Sequence, residues 1–436
     1  MTGTSPRRAR LAWAFYDWGN SAFATTVMAG FFPVFFKQYW CAGVDVNVST
    51  ARLGLANALS GVLVAIAAPL LGAIADQRAA RKRFLAFFAG LGVASTCGLF
   101  LVREGGWLAA AVLYVTGAIG FACANIFYDS LLPVVAEESR YDMVSALGFS
   151  LGYLGGGLLF TGNVLGTLHP GWLGMTSAAA AIRIAFLTTG IWWAVFTIPL
   201  LVYVREPRRR SPARSAARNG WRQVAATLRH IRSRKIVFLF LAGYWLYMDG
   251  VDTIIRMAVD YGMSIGFDSK DLIMALLLTQ FIGFPAALGF GWLGKRLGPK
   301  RGVLLGIAVY LCVSVWGAFM HHRAEFYLLA VVIGLVQGGV QALSRSMFVR
   351  LIPRDKSAEY FGFYNLVGKF ATIVGPVLVG VAGLAARGLG ATPATASRLS
   401  IASLSILFLA GGIILWKVDE EQGRRERDEP SAWMVK

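Results

Sequence analysis

Gly72-Ala-Ile-Ala-Asp76-Gln-Arg78-Ala-Ala-Arg81-Lys82-Arg83 and, in the second half of the chain, Gly291-Trp-Leu-Gly294-Lys295-Arg296-Leu-Gly298-Pro-Lys300-Arg301 are two versions of one pattern. Each is the small-residue end of an apolar run followed by a short basic turn. The runs they close, residues 53–74 and 271–293, have the ~20-residue length that crosses a bilayer as a helix. Counting outward from them gives about twelve such runs, the first at 11–36 and the last at 399–416. The quoted segments then follow runs 2 and 8, the same place in two sets of six. A weaker echo pairs Tyr16-Asp17-x-x-Asn20-Ser21 in span 1 with Met248-Asp249-x-x-Asp252-Thr253 in span 7. The pattern predicts an all-α membrane protein with twelve transmembrane helices in two pseudo-symmetric six-helix bundles.

Composition agrees. The 436 residues are 56% hydrophobic and only 15% charged, with a mean hydropathy of +0.59, which excludes a soluble domain with a large core. The longest internal connection separates the expected units: residues 1–204 as the first bundle, 205–235 as a basic cytoplasmic linker, 236–436 as the second bundle with a short tail. In the linker, Trp221, Val224, Leu228 and Ile231 recur at helical spacing opposite Arg222, Arg229 and Arg232. That describes an amphipathic helix, either on the inner membrane surface or solvated as a plain connector.

The formal charge of +19 is a topology signal. Arg7, Arg8 and Arg10 precede span 1, Arg78 to Arg83 follow span 2, and Lys295 to Arg301 follow span 8, whereas odd-numbered connections are nearly free of Lys and Arg. Basic loops stay in the cytoplasm, so both termini are expected there, in an integral inner (plasma) membrane protein. No aromatic and basic platform accompanies the charge, which argues against nucleic acid. Span 1 resembles a secretory signal only at its basic start; Asp17 and Asn20 interrupt the apolar run, which is also too long, so it is expected to be retained.

Cofactor motifs fail on context. Gly289-x-Gly291-x-x-Gly294 ends a membrane span with no strand before it, and Gly368-Lys369 lacks the rest of a phosphate loop. Four histidines and four scattered cysteines make neither a metal site nor a disulfide framework. The expectation is a non-enzyme with no catalytic residues, no metal, no cofactor and no ATP-driven step.

Ionisable groups at bilayer depth cost at least a few kcal/mol unless paired or facing a wet cavity, so they mark candidate sites. In span 7, Asp249, Asp252, Arg256 and Asp260 fall on one helical stripe, either lining a cavity or forming an internally paired ladder. In span 10, Gln337, Gln341 and Arg345 recur every fourth residue; in span 11, Tyr364, Asn365 and Lys369 cluster. Arg345 and Lys369 can bind a carboxylate or neutralise acids of the other half, and Arg345 can instead reach the cytoplasmic boundary. In the first half, Asp17 and Asn20 on span 1 and Asn125, Tyr128 and Asp129 on span 4 form polar faces, suited either to proton coupling or to interhelical hydrogen bonds. Gly72, Asp76, Arg78 and Arg81 are gating candidates: small residues allow close helix approach, and the charges can bond neighbouring helix ends.

The Gly72 to Arg83 segment resembles the major facilitator signature between spans 2 and 3, with Ala79 where that signature usually has Gly. Four more segments are similar to the vacuole-effluxer branch of that superfamily, over almost the whole chain: Ala14-Phe-Tyr-Asp17-Trp-Gly-Asn20-Ser-Ala-Phe23, Ile126-Phe-Tyr-Asp-Ser-Leu-Leu-Pro133, Ser145-Ala-Leu-Gly148-Phe-Ser-Leu-Gly152-Tyr-Leu-Gly155-Gly, and Gly338-Gly-Val-Gln341-Ala-Leu-Ser-Arg345-Ser through Phe361-Gly-Phe-Tyr364 to Gly375-Pro376. Gly19 stands where Ala is usual and Asp129 where Asn is expected. The resemblance implies the major facilitator fold and secondary, alternating-access export of small metabolites, amino acids foremost. With the buried charges favouring a polar cargo, the expected partners are a small zwitterionic substrate such as an amino acid or short peptide, the lipid bilayer and protons, and the expected state is a monomer. A drug exporter is the first alternative, since aromatics are abundant; a transport-inactive receptor or lipid-handling scaffold is the second.

Overall fold

A computed structural model of the chain describes residues 5–206, 220–264, 269–320, 322–370 and 374–428. Among the described residues, twelve helical segments are long and apolar enough to cross a membrane. Spans 1 to 6 run Pro6–Trp40, Asn47–Arg78, Arg81–Leu101, Trp107–Val135, Glu138–Leu168 and Ala178–Tyr203. Spans 7 to 12 are Lys235–Ser264, Ile273–Leu297, Pro299–Phe319, Arg323–Leu351, the pair Ser357–Phe370 and Val374–Gly388, and Thr395–Trp416. A helix satisfies every backbone group within its own segment and without water, which is why continuous apolar runs of this length take that form. Alternation puts both described ends and the even-numbered connections on one side, called here the basic face.

The two bundles meet along spans 2 with 11 and 5 with 8, and glycines set how closely. A methyl group on Gly72 would collide with the Ala358 carbonyl, and one on Gly362 would lie 2.6 Å from the Ala68 carbonyl oxygen. In the other pairing, Gly291 abuts Ala146 and Gly294 faces Asp142. The two quoted sequence segments therefore occupy matching seats, each the end of one bundle's second helix against the fifth helix of the other bundle.

A second repeat was not read from the sequence. After span 6 the chain runs Val204-Arg-Glu206, and after span 12 Val418-Asp-Glu420. Lys82 Nζ donates to the Val204 carbonyl (2.9 Å) while Glu206 accepts from the backbone N–H groups of Arg81 and Lys82 (3.2 and 3.3 Å). Lys300 Nζ donates to the carbonyls of Val418 and Trp416 (2.8 and 2.7 Å), and Glu420 accepts from the Lys300 N–H (3.3 Å). A carboxylate at a helix start and an ammonium on a helix end complement the exposed N–H and C=O groups at each. Each bundle's last helix is thus tied to its third.

The linker helix, Gly220–Ser233, is turned toward the protein more than an isolated surface helix would be. Thr227 and Ile231 are buried and the helix packs against spans 2 and 7, leaving Leu228 exposed. The side chains of Trp221 and Arg222, like residues 207–219, lie outside the described residues.

The turn after span 2 closes on Ala79, whose φ of 46° and ψ of 51° are left-handed; the equivalent turn after span 8 has Gly298 at φ 88°. A Cβ in that region costs roughly 1 kcal/mol. Ala79→Gly should therefore stabilise the protein by about that amount. Thermal unfolding of the purified variant measures it, and an unchanged or lower midpoint would contradict the strain.

Candidate functional site: a buried arginine between the bundles

Arg345 lies deep enough on span 10 that its guanidinium cannot reach water; it is 3% exposed. Its partners come from the other bundle. Nη1 donates to Asp129 Oδ1 at 2.8 Å, and Asp17 Oδ2 stands 3.7 Å from the same nitrogen. Nε donates to the Ser145 hydroxyl and Nη2 to the Ser145 carbonyl, both at 2.9 Å. The rings of Trp13, Tyr128 and Phe149 surround the cation, 4.4–5.3 Å from its carbon. Tyr128 donates to Asp17 Oδ2 (3.0 Å) and stacks on Trp13 at 4.3 Å, while the Trp13 indole N–H donates to the Tyr128 carbonyl. The planar fork of Arg suits this box of oxygens and π-faces; an ammonium would not.

The glycines of span 5 make the box possible. A Cβ on Gly148 would lie 2.7 Å from the Tyr128 hydroxyl and 2.9 Å from Asp17 Oδ2, and one on Gly152 2.5 Å from Ser21 Oγ. Span 1 also widens just beyond Asn20 into a π-helical stretch, Phe23–Phe31, a form often found at functional positions.

Two further charged layers lie nearer the basic face. Asp142 at the start of span 5 takes Arg350 of span 10 in a two-pronged pair (2.7 and 3.0 Å), and Arg350 also donates to the Glu138 carbonyl. At the end of span 2, Asp76 accepts from the N–H groups of Ala358 (3.2 Å) and Glu359 (2.8 Å), the first turn of span 11. Arg81 holds Asp76 at 2.7 Å and donates to the carbonyls of Arg354 and Asp355. Asp76 thus caps a helix of the opposite bundle. The charged ties between the bundles lie at mid-depth or on the basic side, and beyond them Gln280 Nε2 donates to Thr25 Oγ1 (2.7 Å). The structure is closed at the basic face.

Other candidates are placed as follows. Asn20 donates to Asn125 (2.6 Å), tying spans 1 and 4 one turn from the arginine box. Gln341 and Gln337 are half-buried, and Tyr153 donates to Gln341 Oε1 over a long 3.5 Å. Asp252 and Lys369 are half-buried on spans 7 and 11. Asp249 is 0% exposed and accepts from the Gly375 N–H (3.0 Å) and the Thr253 hydroxyl (3.3 Å), so it anchors the first turn of the second half of span 11. Tyr364 is buried and stacks between Tyr244 and Phe348 (4.1 and 4.9 Å), where its ring contributes apolar area. Arg78 is exposed and stands outside the Asp76 and Arg81 network, since the left-handed turn at Ala79 follows it directly. The side chains of Arg256 and Asp260 lie outside the described residues, so the span 7 stripe is described only at Asp249 and Asp252.

Ser145, Asp142 and Arg350 were missed as site residues. Charged residues at span ends read as ordinary boundary groups, and only the fold brings Asp142 to Arg350. Their signal was spacing: Asp142 and Ser145 lie one turn apart on span 5, and Arg345 and Arg350 share span 10.

Twelve spans in two bundles, meeting through charged helix ends and a buried polar centre, define a transporter of the major facilitator type. Solved structures share this fold: the human organic anion transporter MFSD10 (TETRAN), TM-score 0.70 at 14% identity over 94% of this chain and 99% of that one, and a bacterial homologue of the iron transporter ferroportin in its outward-facing state, TM-score 0.66 at 16% identity over 95% and 98%. A family model described as Vacuole effluxer Atg22 like matches residues 40–142 and 136–428, and the chain belongs to that family. It is 38% identical to the uncharacterized MFS-type transporter YxiO of Bacillus subtilis (strain 168), over 94% of each chain. It is 23% identical to autophagy-related protein 22 of Eremothecium gossypii, over 87% of this chain and 86% of that protein.

Removing Arg345 leaves its acid partners without their buried cation, which typically costs about 3–5 kcal/mol. Arg345→Ala should lower the thermal midpoint of the purified protein far more than Arg78→Ala, and Arg345→Lys should restore little of the loss, lacking the fork that grips Ser145. Equal midpoints for Arg345→Ala and wild type would remove the ion pair from any structural role.

Proposed function

We propose that the protein exports a small zwitterionic metabolite, an amino acid or short peptide, across the inner membrane by alternating access, and that proton binding to the acids facing Arg345 drives the change of access. The observation that carries this is the Arg345 pair itself. It joins the two bundles by a single buried cation from one and carboxylates from the other, so it must break for the basic face to open. Protonating a carboxylate removes its charge and with it most of the attraction. The lock is therefore strong while the acid is ionised and weakens as pH falls. On this reading the basic face is cytoplasmic, as the placement of Lys and Arg supports, and the protein acts as a monomer.

A zwitterion suits the groups beyond the lock. Asp252 and Lys369 offer an acid and a base on one bundle, and Asn20 with Asn125 offers amide donors and acceptors on the other. A drug exporter would need fewer charges at this depth, each costing a few kcal/mol in an apolar site.

A ligand at about 100 times its dissociation constant stabilises its protein by roughly 2.7 kcal/mol. A thermal-shift screen of the purified protein against amino acids, dipeptides and lipophilic cations should therefore give hits among the first two, and those hits should move into proteoliposomes down an imposed pH gradient. Hits confined to lipophilic cations would favour drug export; movement indifferent to the pH gradient would remove the coupling. Lys369→Ala should abolish transport of the hit compound.

Asp76→Ala should slow transport while leaving ligand affinity within a few fold, a change below about 1 kcal/mol, because Asp76 holds helix ends and not substrate. Complete loss of binding by a folded variant contradicts that role. In a background lacking Cys41, Cys97, Cys123 and Cys312, Ala79→Cys should react with an impermeant thiol reagent only after cells are opened, and Trp172→Cys from outside; the reverse pattern inverts the topology.

A further inference from the structure

Two acids face one guanidinium in the arginine box, and the charges do not balance if both are ionised. A net negative charge would then sit among aromatic rings around a cation that is 3% exposed, a place where uncompensated charge is strongly disfavoured. One proton makes the box neutral. The geometry says which acid holds it. Asp129 accepts a direct, charge-assisted bond from Nη1 at 2.8 Å, whereas Asp17 Oδ2 stands 3.7 Å away and receives the neutral phenol of Tyr128 instead. A protonated carboxyl can still accept that phenol on its carbonyl oxygen.

The bundles also divide the box unevenly. Asp17, Tyr128, Asp129 and Ser145 all belong to the first bundle, and Arg345 alone belongs to the second. The Tyr128 to Asp17 bond stays within one rigid body when the bundles part. The Asp129 pair does not.

We propose that Asp129 is the acid that gains and loses a proton as access changes, and that Asp17 keeps its proton throughout, so the box moves one proton per cycle. This rests on the proton-coupled reading above and divides its chemistry between the two residues. In the closed basic face Asp129 is ionised against Arg345. When Arg345 withdraws, the Asp129 carboxylate takes a proton from the aqueous phase it meets and returns it as Arg345 comes back.

Asp17 faces Tyr128 and Asp129 of span 4, Tyr153 of span 5 and Arg345 of span 10, with Tyr16 beside it on span 1; span 6 brings Trp192, Trp193 and Phe196. Asp129 feels Arg345, Asp17 and Tyr16 and, more remotely, the phenols of Tyr244 and Tyr364 on spans 7 and 11; Lys369 stands toward Cys123, more than a turn away on span 4. Arg345 is the permanent cation in contact with both.

The test needs no substrate, only protons. Spin labels at Arg83→Cys and Lys295→Cys, in the full chain without its native cysteines and in nanodiscs, report the separation across the basic face by pulsed dipolar spectroscopy. Between about pH 8 and about pH 5, within the spread of carboxyl values measured in folded proteins, the open population of the parent should rise as pH falls. Asp17→Asn, a neutral mimic of the protonated acid, should keep this transition. Asp129→Asn should be open at every pH, while Asp129→Glu, which preserves the acid, should titrate again and so exclude misfolding as the cause. A parent that shows no pH dependence defeats the coupling itself. A parent that responds, with Asp17→Asn flat and Asp129→Asn still titrating, reverses the assignment; flat profiles for both variants show that the two acids share the proton and overturn it as well.

Discussion

A guanidinium with no water to solvate it must be held by oxygens, and in this protein the oxygens belong to the other half of the molecule. That constraint organises the interface. Arg345 can be buried on span 10 only while Asp129, Asp17 and Ser145 are brought to it, so the two bundles share a need that neither meets alone. Pairing of this kind adds little net stability over an apolar contact but makes separation costly. For a transporter this is useful: it penalises half-open arrangements, where the cation has left one set of partners without finding another.

The three charged layers are ordered by depth. Asp76 and Arg81 grip the start of span 11, Asp142 and Arg350 tie spans 5 and 10, both at span ends on the basic side, and the Arg345 box is deeper. The tail adds a strap outside all three. Arg427 bridges Glu138 of the first bundle (3.1 Å) and the Arg350 carbonyl of the second (3.0 Å), with Arg424 and Arg354 also on Glu138. Asp428 on the same helix, through its hydrogen bond to Arg427, raises the pKa of that guanidinium and has its own lowered in return. All three pairs are buried, but only the Arg345 box sets one cation between two acids.

Much of this was legible in the chain. Span number, duplication and the seat of Gly72 follow from apolar periodicity and from a repeated helix end, because the bilayer leaves one backbone solution. Arg345, Asp17 and Asp129 stand out for the same reason: charge inside an apolar run is rare and must be explained. The partners were not legible. Spacing places groups on one helix, and the pairing of span 10 with spans 1, 4 and 5 is a property of the closed interface. Asp249 shows what spacing leaves open: its helical stripe with Asp252 fits a cavity wall or a paired ladder, and in the structure its carboxylate accepts from the Gly375 N–H of span 11. A short acceptor on a helix face suits a neighbouring helix start as well as it suits a ligand.

Ala79 and Glu206 show why duplication need not mean identical parts. Both bundles need a left-handed residue after their second span and a carboxylate at the start of their third, and the chain supplies Ala79 with Glu206 in one and Gly298 with Glu420 in the other. What is preserved is the backbone demand. The charges facing the partner bundle are free to differ, and they do: Asp76 in the first repeat corresponds to Lys295 in the second. A carboxylate can cap the helix start of span 11, which presents N–H groups. An ammonium at the start of span 5 could not, and there the same tie is made by Arg350 reaching Asp142 from span 10. The two sides of the basic face are thus closed by opposite electrostatic means, one a carboxylate on helix N–H groups and the other a guanidinium on a carboxylate.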